Sequence, residues 1–260
     1  MSSESNKTLV QKYGGSSLKN ISAIKNIAKK IIKKHSEGFN MVVVVSAMGK
    51  STDQLLNKAT KIIKDISAKH NRDLDMLLST GELVSATLLS MAINSKGVNA
   101  ISLTGTQAGI KTNLSYGSAR ISNIEISRIK KELNANKIVI VAGFQGISNT
   151  EDITTLGRGG SDTTAVALAA AIKASICEIY TDVEGVYTAD PRIEPQARKL
   201  DELNFEEMAE LANHGTRVLH SRAVELAWVY NVPILVASSF TEKPGTLIHG
   251  GHNMEMKDKV

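Results

Sequence analysis

The sequence predicts a mostly parallel β-sheet covered by helices on both faces, and three features carry that reading. Short β-branched runs such as Met41 to Val45 are apolar throughout instead of alternating, as strands buried on both faces are. Longer segments with apolar residues at helical spacing separate them, giving β-α-β order. Several of the runs also end in glycine-rich turns, and the carboxyl ends of strands are where open α/β sheets place ligands.

Composition narrows the function. The 260 residues are 42% hydrophobic and 22% charged, enough to bury a core as one large domain or two intimate lobes. Aromatics are only 4%, which argues against base-stacking surfaces, and the lysines behind the net charge of +5 are scattered along helical stretches. No nucleic-acid partner is expected, although the positive excess suits anionic nucleotides. The single cysteine, Cys177, excludes an internal disulfide framework and reads as a small buried hydrophobe in a reducing compartment. The polar start MSSESNKT lacks a signal-peptide core, and no apolar run reaches the length of a membrane span. A soluble cytoplasmic protein with no membrane partner is the expectation.

In chain order, Leu9 to Tyr13 reads as a strand ending in Gly14-Gly15-Ser16-Ser17, with Lys12 just ahead of the glycines. Strand, cation and glycine turn suit a phosphate, but a Lys before the glycines is not the P-loop arrangement, and an edge lysine beside a turn is the plainer alternative. Ile21, Ile24, Ile27, Ala28, Ile31 and Ile32 mark an amphipathic helix, and the strand Met41 to Val45 completes one β-α-β unit. Ser46 to Asp53 then leads into a helix from about Gln54 to Lys69, which Thr52 or Asp53 can cap. Leu77 to Ile93 reads as a helix with Gly81-Glu82 near its start, where an acid serves the dipole. After a strand from Val98 to Leu103, the polar segment TGTQAGIKTNLSYGSAR suits a substrate-gating loop or hairpin. Lys137 to Ala142 is a further strand, ending in Gly143-Phe144-Gln145-Gly146, and Asn149 to Asp152 form a polar turn.

The densest signal is TTLGRGGSDTTAVALAAA, residues 154 to 171. Gly157, Gly159 and Gly160 surround Arg158, and Ser161 or Asp162 can cap the Ala-rich helix that follows. A helix N-terminus offers free N–H groups and positive dipole to an anion, and Arg158 can clasp a carboxylate with its two-pronged guanidinium. An anionic substrate is implied. The strand Ile176 to Thr181 then opens into Asp182, Glu184, Gly185 and Tyr187, is stopped by Asp190-Pro191 and is followed by Arg192, a loop that suits a nucleotide. Either half alone reads equally well as a capped helix or an ordinary loop. Helices at about Asp201 to Ala212 and Arg217 to Asn231, a strand at Pro233 to Ser238 and an edge strand at Gly245 to Ile248 complete the chain.

Together these stretches resemble the amino acid kinase family, and within it the aspartokinases, from Val10 to about Ile248. KYGGSS matches the KFGGTS element of that group, with Tyr13 for Phe and Ser16 for Thr; VSAMG…TD, STGE, GRGGSD and TDVEG follow it along the chain. The resemblance implies a three-layer αβα sandwich of the amino acid kinase fold. Residues 1–248 would be the catalytic domain, with an N-lobe of about 1–150 for the amino acid, a C-lobe of about 151–248 for the nucleotide, and 249–260 as a polar tail.

It also implies an activity: ATP-dependent phosphorylation of the side-chain carboxylate of L-aspartate to 4-phospho-L-aspartate, the first step towards lysine, threonine and methionine. By resemblance, Lys12 steadies the transferring phosphoryl group and Asp162 orients Lys12. Ser46, Thr52, Phe144 and Ser161 contact the amino acid, Glu82 its ammonium and Arg158 its α-carboxylate. Gly14, Gly15, Thr181, Asp182, Tyr187, Arg192 and Arg217 serve ATP, and Mg2+ rides largely on the phosphates with no metal-binding residues of the protein. Arg217 stands where the group usually has Lys, Ser221 where it has Pro in LHPR, and Glu184 where it has Asp; altered affinity, not lost activity, is the expectation. A homo-oligomer is expected. ACT-type regulatory modules would begin beyond Ile248, so no inhibition by end-product amino acids is expected outside the aspartate site unless a separate regulatory subunit supplies it. The alternatives are another acceptor (glutamate, carbamate, a nucleoside monophosphate or a specialised metabolite) or a silent nucleotide-binding subunit. His249 and His252 are not expected to hold a metal.

Overall fold

The computed structural model describes residues 7–63, 71–191, 193–213 and 218–251. Along the chain these form β1 (Thr8–Tyr13), a 3-10 turn (Ser16–Leu18), α1 (Ile21–Ser36), β2 (Asn40–Val45), α2 (Ser51–Ile62), α3 (Asn71–Asn94) and β3 (Ala100–Leu103). Next come β4 (Ile110–Thr112), β5 (Ile121–Ile124), α4 (Ser127–Asn134), β6 (Ile138–Ala142), β7 (Gln145–Ile147) and β8 (Ile153–Thr155). The last part holds α5 (Gly160–Ile172), β9 (Ile176–Thr181), β10 (Glu202–Asn204), α6 (Phe205–Asn213), α7 (Ser221–Val229), β11 (Ile234–Ser238) and β12 (Thr246–His249).

Eight strands make the central sheet, in the order β10-β12-β11-β9-β1-β2-β6-β3. Pairing is parallel from β11 across to β3, while β12 runs antiparallel to β11 and carries β10 with it. The continuous apolar runs of β2 and β6 are explained by position, since these strands, like β1 beside them, sit mid-sheet with a core on each face. Val10, Val42, Val44, Val139 and Val141 join the cluster of α5 and α7, whereas Leu9, Met41, Val43, Val45, Ile138 and Ile140 join that of α1 and α3. Period-two alternation thus splits each run between two helical layers, which is the expected αβα sandwich.

A second sheet, β5-β4-β7-β8, is built from the polar segment after β3 and the residues after Phe144. The expected hairpin is there as β4 and β5, but β7, β8 and the short α4 were not anticipated. Strands of three or four residues are too short to show alternation, and the Thr and Gly within them read as loop.

Other boundaries moved for identifiable reasons. Helix α3 begins at Asn71, so Glu82 lies in mid-helix and serves no dipole. Over Arg72–Asn94 it is long and apolar enough to cross a membrane, contrary to expectation. Its buried face, however, carries Asp75, Ser79, Glu82 and Ser85 beside Ala86, Leu89 and Ile93, and it packs on β2, β3, β6 and β8, as a core helix does. Helix α2 starts at Ser51 with Lys50 at its N-cap, leaving Thr52 and Asp53 in the first turn instead of capping it. Likewise the N-cap of α5 is Gly159, in the left-handed region at φ 69°, so Ser161 and Asp162 lie inside the helix. A Cβ on Gly159 would fall 2.3 Å from His220 Cγ, so only glycine fits there. Finally, β12 is no edge strand: Glu202–Asn204, expected to be helical, forms β10 outside it.

Candidate active site

The ends of β1, β2, β6 and β9 stand side by side, for Tyr13 pairs with Val45 and Tyr180, and Val45 with Ala142. The residues that follow them therefore share one edge of the sheet. Lys12 has the same strand parity as Val10 and so meets the α5 layer, where its Nζ lies 2.6 Å from Asp162 Oδ1. Both side chains are almost buried, at 11% and 12% exposure. Asp162 occupies the first turn of α5, where the dipole favours a carboxylate, and it holds the ammonium at the end of the strand.

Glycines let the backbone close around this pair. Gly14 N–H donates to Tyr180 O at 3.2 Å and Gly15 O accepts from Gly49 N–H at 2.9 Å. A Cβ on Gly15 would sit 2.7 Å from Ala47 O, and one on Gly14 3.6 Å from Lys12 Nζ. A turn of this kind at a lysine suits the oxygens of a phosphate.

Opposite, the loop after β2 is bound from both sides. Ser46 N–H donates to Tyr13 O at 3.1 Å, and Ala47 N–H to Glu82 Oε1, also at 3.1 Å. Gly81 allows this approach, as its Cβ would be 2.8 Å from that of Ala47. Glu82 is only 3% exposed, and its Oε2 is buried with no hydrogen-bond partner among the described residues. Burial pushes its acid up to about 7, against the pull of the Ala47 N–H. Thr52 lies half-buried in the first turn of α2.

The loop after β6 supplies the next wall. Gly143 abuts Ser161, whose Oγ would lie 2.9 Å from an added Cβ. Phe144 adopts a left-handed φ of 70°, a strained backbone for an aromatic residue, held by its N–H to Thr164 Oγ1 at 3.1 Å and by Leu156 N–H to its carbonyl at 2.9 Å. Gly160 makes room for the ring: a Cβ there would be 2.9 Å from Phe144 Cδ2. Arg158, between two left-handed glycines, is exposed and makes no hydrogen bond or ion pair among the described residues.

The segment after β9 is looser. Thr181 O accepts from Ser239 N–H at 2.9 Å, and Thr181 Oγ1 donates to Asp182 Oδ1 at 3.1 Å, leaving Asp182 exposed. Gly185 passes tightly under Thr246, while Tyr187 is half-buried in a bridge to Lys199. Glu184 pairs with Lys243 at 3.0 Å on the surface, an arrangement that orders the loop. Arg192 and Arg217, expected at the nucleotide, lie outside the described residues.

The edge thus gathers Lys12, Asp162, Gly14, Gly15, Ser46, Glu82, Phe144 and Ser161, with Thr181 one strand away. Sequence reasoning missed Thr164, which fixes Phe144, and Gln145, whose Nε2 donates to Ser79 O at 2.8 Å. Thr164 is the fifth residue of α5, and nothing local marks its bond to Phe144, 20 residues away. Among the described residues no three His, Cys, Asp or Glu converge on a metal position.

Comparison with known proteins fits this geometry. A family model described as the amino acid kinase family matches residues 7–238. An aspartokinase of Geobacillus stearothermophilus is 54% identical over 247 residues, which are 95% of this chain and 60% of that protein. The crystal structure of aspartate kinase from Synechocystis superposes with a TM-score of 0.84 at 46% identity, over 94% of this chain and 40% of that one. E. coli aspartokinase III, solved in complex with aspartate and ADP, gives 0.83 at 28% identity, over 94% and 65%. The chain spans about 60% of the length of the curated relatives it matches.

Proposed function

Since the chain belongs to the amino acid kinase family, we propose that it performs the catalysis of an aspartate kinase, moving the γ-phosphoryl group of ATP to the side-chain carboxylate of L-aspartate. The observation that carries the choice of acceptor is Glu82. A buried carboxylate with one oxygen unpartnered is costly until a cation satisfies it, and the ammonium of an α-amino acid is such a cation. Arg158, exposed and unpaired, then supplies the two-pronged partner for the α-carboxylate, and the remaining side chain extends towards Lys12.

A carboxylate is already a nucleophile at neutral pH, so the transfer requires no deprotonating base. It requires alignment and neutralisation of charge. Lys12 meets the phosphoryl oxygens as their charge grows, with Asp162 fixing the ammonium in place, and the N–H groups at the start of α5 add their dipole. Ser46, Thr52, Phe144 and Ser161 bound the amino acid; Thr181, Asp182, Tyr187, Arg192 and Arg217 bound the nucleotide. The division proposed is an acceptor lobe of about 1–150 and a nucleotide lobe of about 151–248, with Arg158 and Ser161 serving the acceptor from the second and Lys12 serving the phosphates from the first. Mg2+ would be carried largely by the phosphates of ATP and would supply spreading of their charge. The remaining parts of the proposal are a cytoplasmic homo-oligomer serving lysine, threonine and methionine synthesis, without nucleic-acid or membrane partners.

Measuring ADP release with aspartate, glutamate, carbamate and UMP as acceptors tests the reading. Turnover confined to aspartate supports it. Turnover with another acceptor moves the chain elsewhere in the family, and ATP binding without any turnover makes it a silent subunit.

A further inference from the structure

Asp75 is 1% exposed, lies seven residues before Glu82 on the buried face of α3, and accepts hydrogen bonds from two separate stretches of backbone. Gly117 N–H lies 3.0 and 2.9 Å from its two oxygens, Thr155 N–H donates to Oδ2 at 2.7 Å, and Thr155 Oγ1 donates to Oδ1 at 2.7 Å. Those stretches run side by side into the glycine turn: Ala119 N–H donates to Thr155 O at 2.9 Å, and Gly117 O would lie 3.0 Å from a Cβ on Gly157. Arg222 of α7 holds the same junction from the carbonyl side, through Leu156 O at 2.8 Å and Ser118 O at 3.5 Å. Arg158 comes three residues after Thr155. Having no side-chain partner among the described residues, it is located only by the backbone on which it stands.

We infer that Asp75 is a positioning residue for Arg158, clamping the two backbone segments that meet at its turn so that the guanidinium is held ready for the α-carboxylate of the acceptor. The inference rests on the aspartate kinase reading. One face of α3 thus ties down the turn before Arg158 through Asp75 and the loop after Ser46 through Glu82, two turns further on, while the Ser79 carbonyl between them accepts from the Gln145 side chain.

The test is a double-mutant cycle between Asp75→Asn and Arg158→Ala, with kcat and both Michaelis constants measured for each variant. Asn keeps the shape but turns one acceptor into a donor facing N–H groups. The expected result is a rise of about tenfold in KM for aspartate, a part of the about 10²-fold that an ångström of misplacement costs, with KM for ATP and kcat held within about twofold. In the Arg158→Ala background the same substitution should add less than about twofold. A lowered Tm with unchanged KM for aspartate overturns the inference, as does an undiminished effect in the absence of Arg158. Should Asp75→Asn fail to fold, Thr155→Val removes only the hydroxyl bond and should raise the same KM by about threefold, in line with one lost hydrogen bond; no rise again overturns it. Arg158→Ala alone separates the two levels: if it leaves KM for aspartate unchanged, the acceptor reading itself fails and takes the clamp with it.

Discussion

On the side of the site proposed for the acceptor, backbone is gripped by buried side chains that arrive from helices. Glu82 takes Ala47 N–H, Thr164 takes Phe144 N–H and Asp75 takes Gly117 and Thr155. On the side proposed for the nucleotide, Thr181 Oγ1 donates to the exposed Asp182 and Thr188 N–H to Arg198 O at 3.0 Å, while the Val186 end of the loop is tied into the core by Leu200 N–H to Val186 O at 2.8 Å and Val186 N–H to Thr246 Oγ1 at 2.8 Å. Buried polar contacts of the first kind fix a geometry, because breaking one leaves a group without water to replace its partner. Exposed contacts, such as those of Asp182 and Thr188, exchange for water at little cost. On the proposed reading, selection of the acceptor rests on buried contacts and nucleotide binding on a more exposed segment, which holds the departure at Glu184.

Lys12→Met should have the largest effect, because the proposed mechanism has this ammonium act mainly as charge moves. We expect kcat to fall by at least about 10²-fold, as for loss of one preorganised electrostatic group, with the dissociation constant for ATP nearly unchanged. Steady-state turnover beside equilibrium nucleotide binding checks this, and unaltered turnover removes Lys12 from the chemistry. Next comes Arg158→Ala, which should raise KM for aspartate by about 10- to 100-fold, the value of a charged hydrogen-bonded pair, while KM for ATP stays within about twofold. A collapse in ATP affinity instead would exchange the two lobes.

Glu82 yields a pH signature. Its acid stands at about 7 against an ordinary 4.5, so below neutrality it must shed a proton before it can pair with an ammonium. KM for aspartate should therefore fall as pH rises towards about 7, by roughly tenfold per unit, and level off above. Folding stability has the matching sign: the raised acid stabilises the fold fully below 4.5, and that contribution is lost as pH climbs through about 7. Glu82→Gln should flatten both profiles; a slope in KM that survives the substitution assigns the titration elsewhere. The smallest effect belongs to the exposed side, where Asp182→Asn should raise KM for ATP by no more than about fivefold, an exposed charge contributing about 1 kcal/mol or less, and leave KM for aspartate alone.

The same contrast governed what the sequence could reveal. Strands β2 and β6 were legible because burial on both faces writes itself as an unbroken apolar run, β1 and β9 as short runs that end at a glycine turn or an acidic loop, and α1 because one buried face writes itself as a stripe. Lys12, Glu82, Arg158 and Asp162 stood out as charges placed against glycines or resembled motifs. Asp75 and Thr164 did not, since an acid early in a helix and a threonine within one look ordinary until a second chain segment, some 80 or 20 residues away, is seen to donate to them. Long-range hydrogen bonding to backbone leaves no local period. The small sheet was obscured for a related reason: its strands owe their pairing to each other and to α3, not to any alternation of their own.

Trapping the product with hydroxylamine tests the central claim most directly, because only an acyl phosphate on the acceptor reacts with it to form a hydroxamate. Incubation of the purified chain with ATP, Mg2+ and L-aspartate should yield aspartyl β-hydroxamate in step with ADP, and the Lys12→Met chain should yield at least about 10²-fold less. ADP released without hydroxamate, or hydroxamate formed equally well by Lys12→Met, would contradict phosphoryl transfer to the aspartate carboxylate at this site.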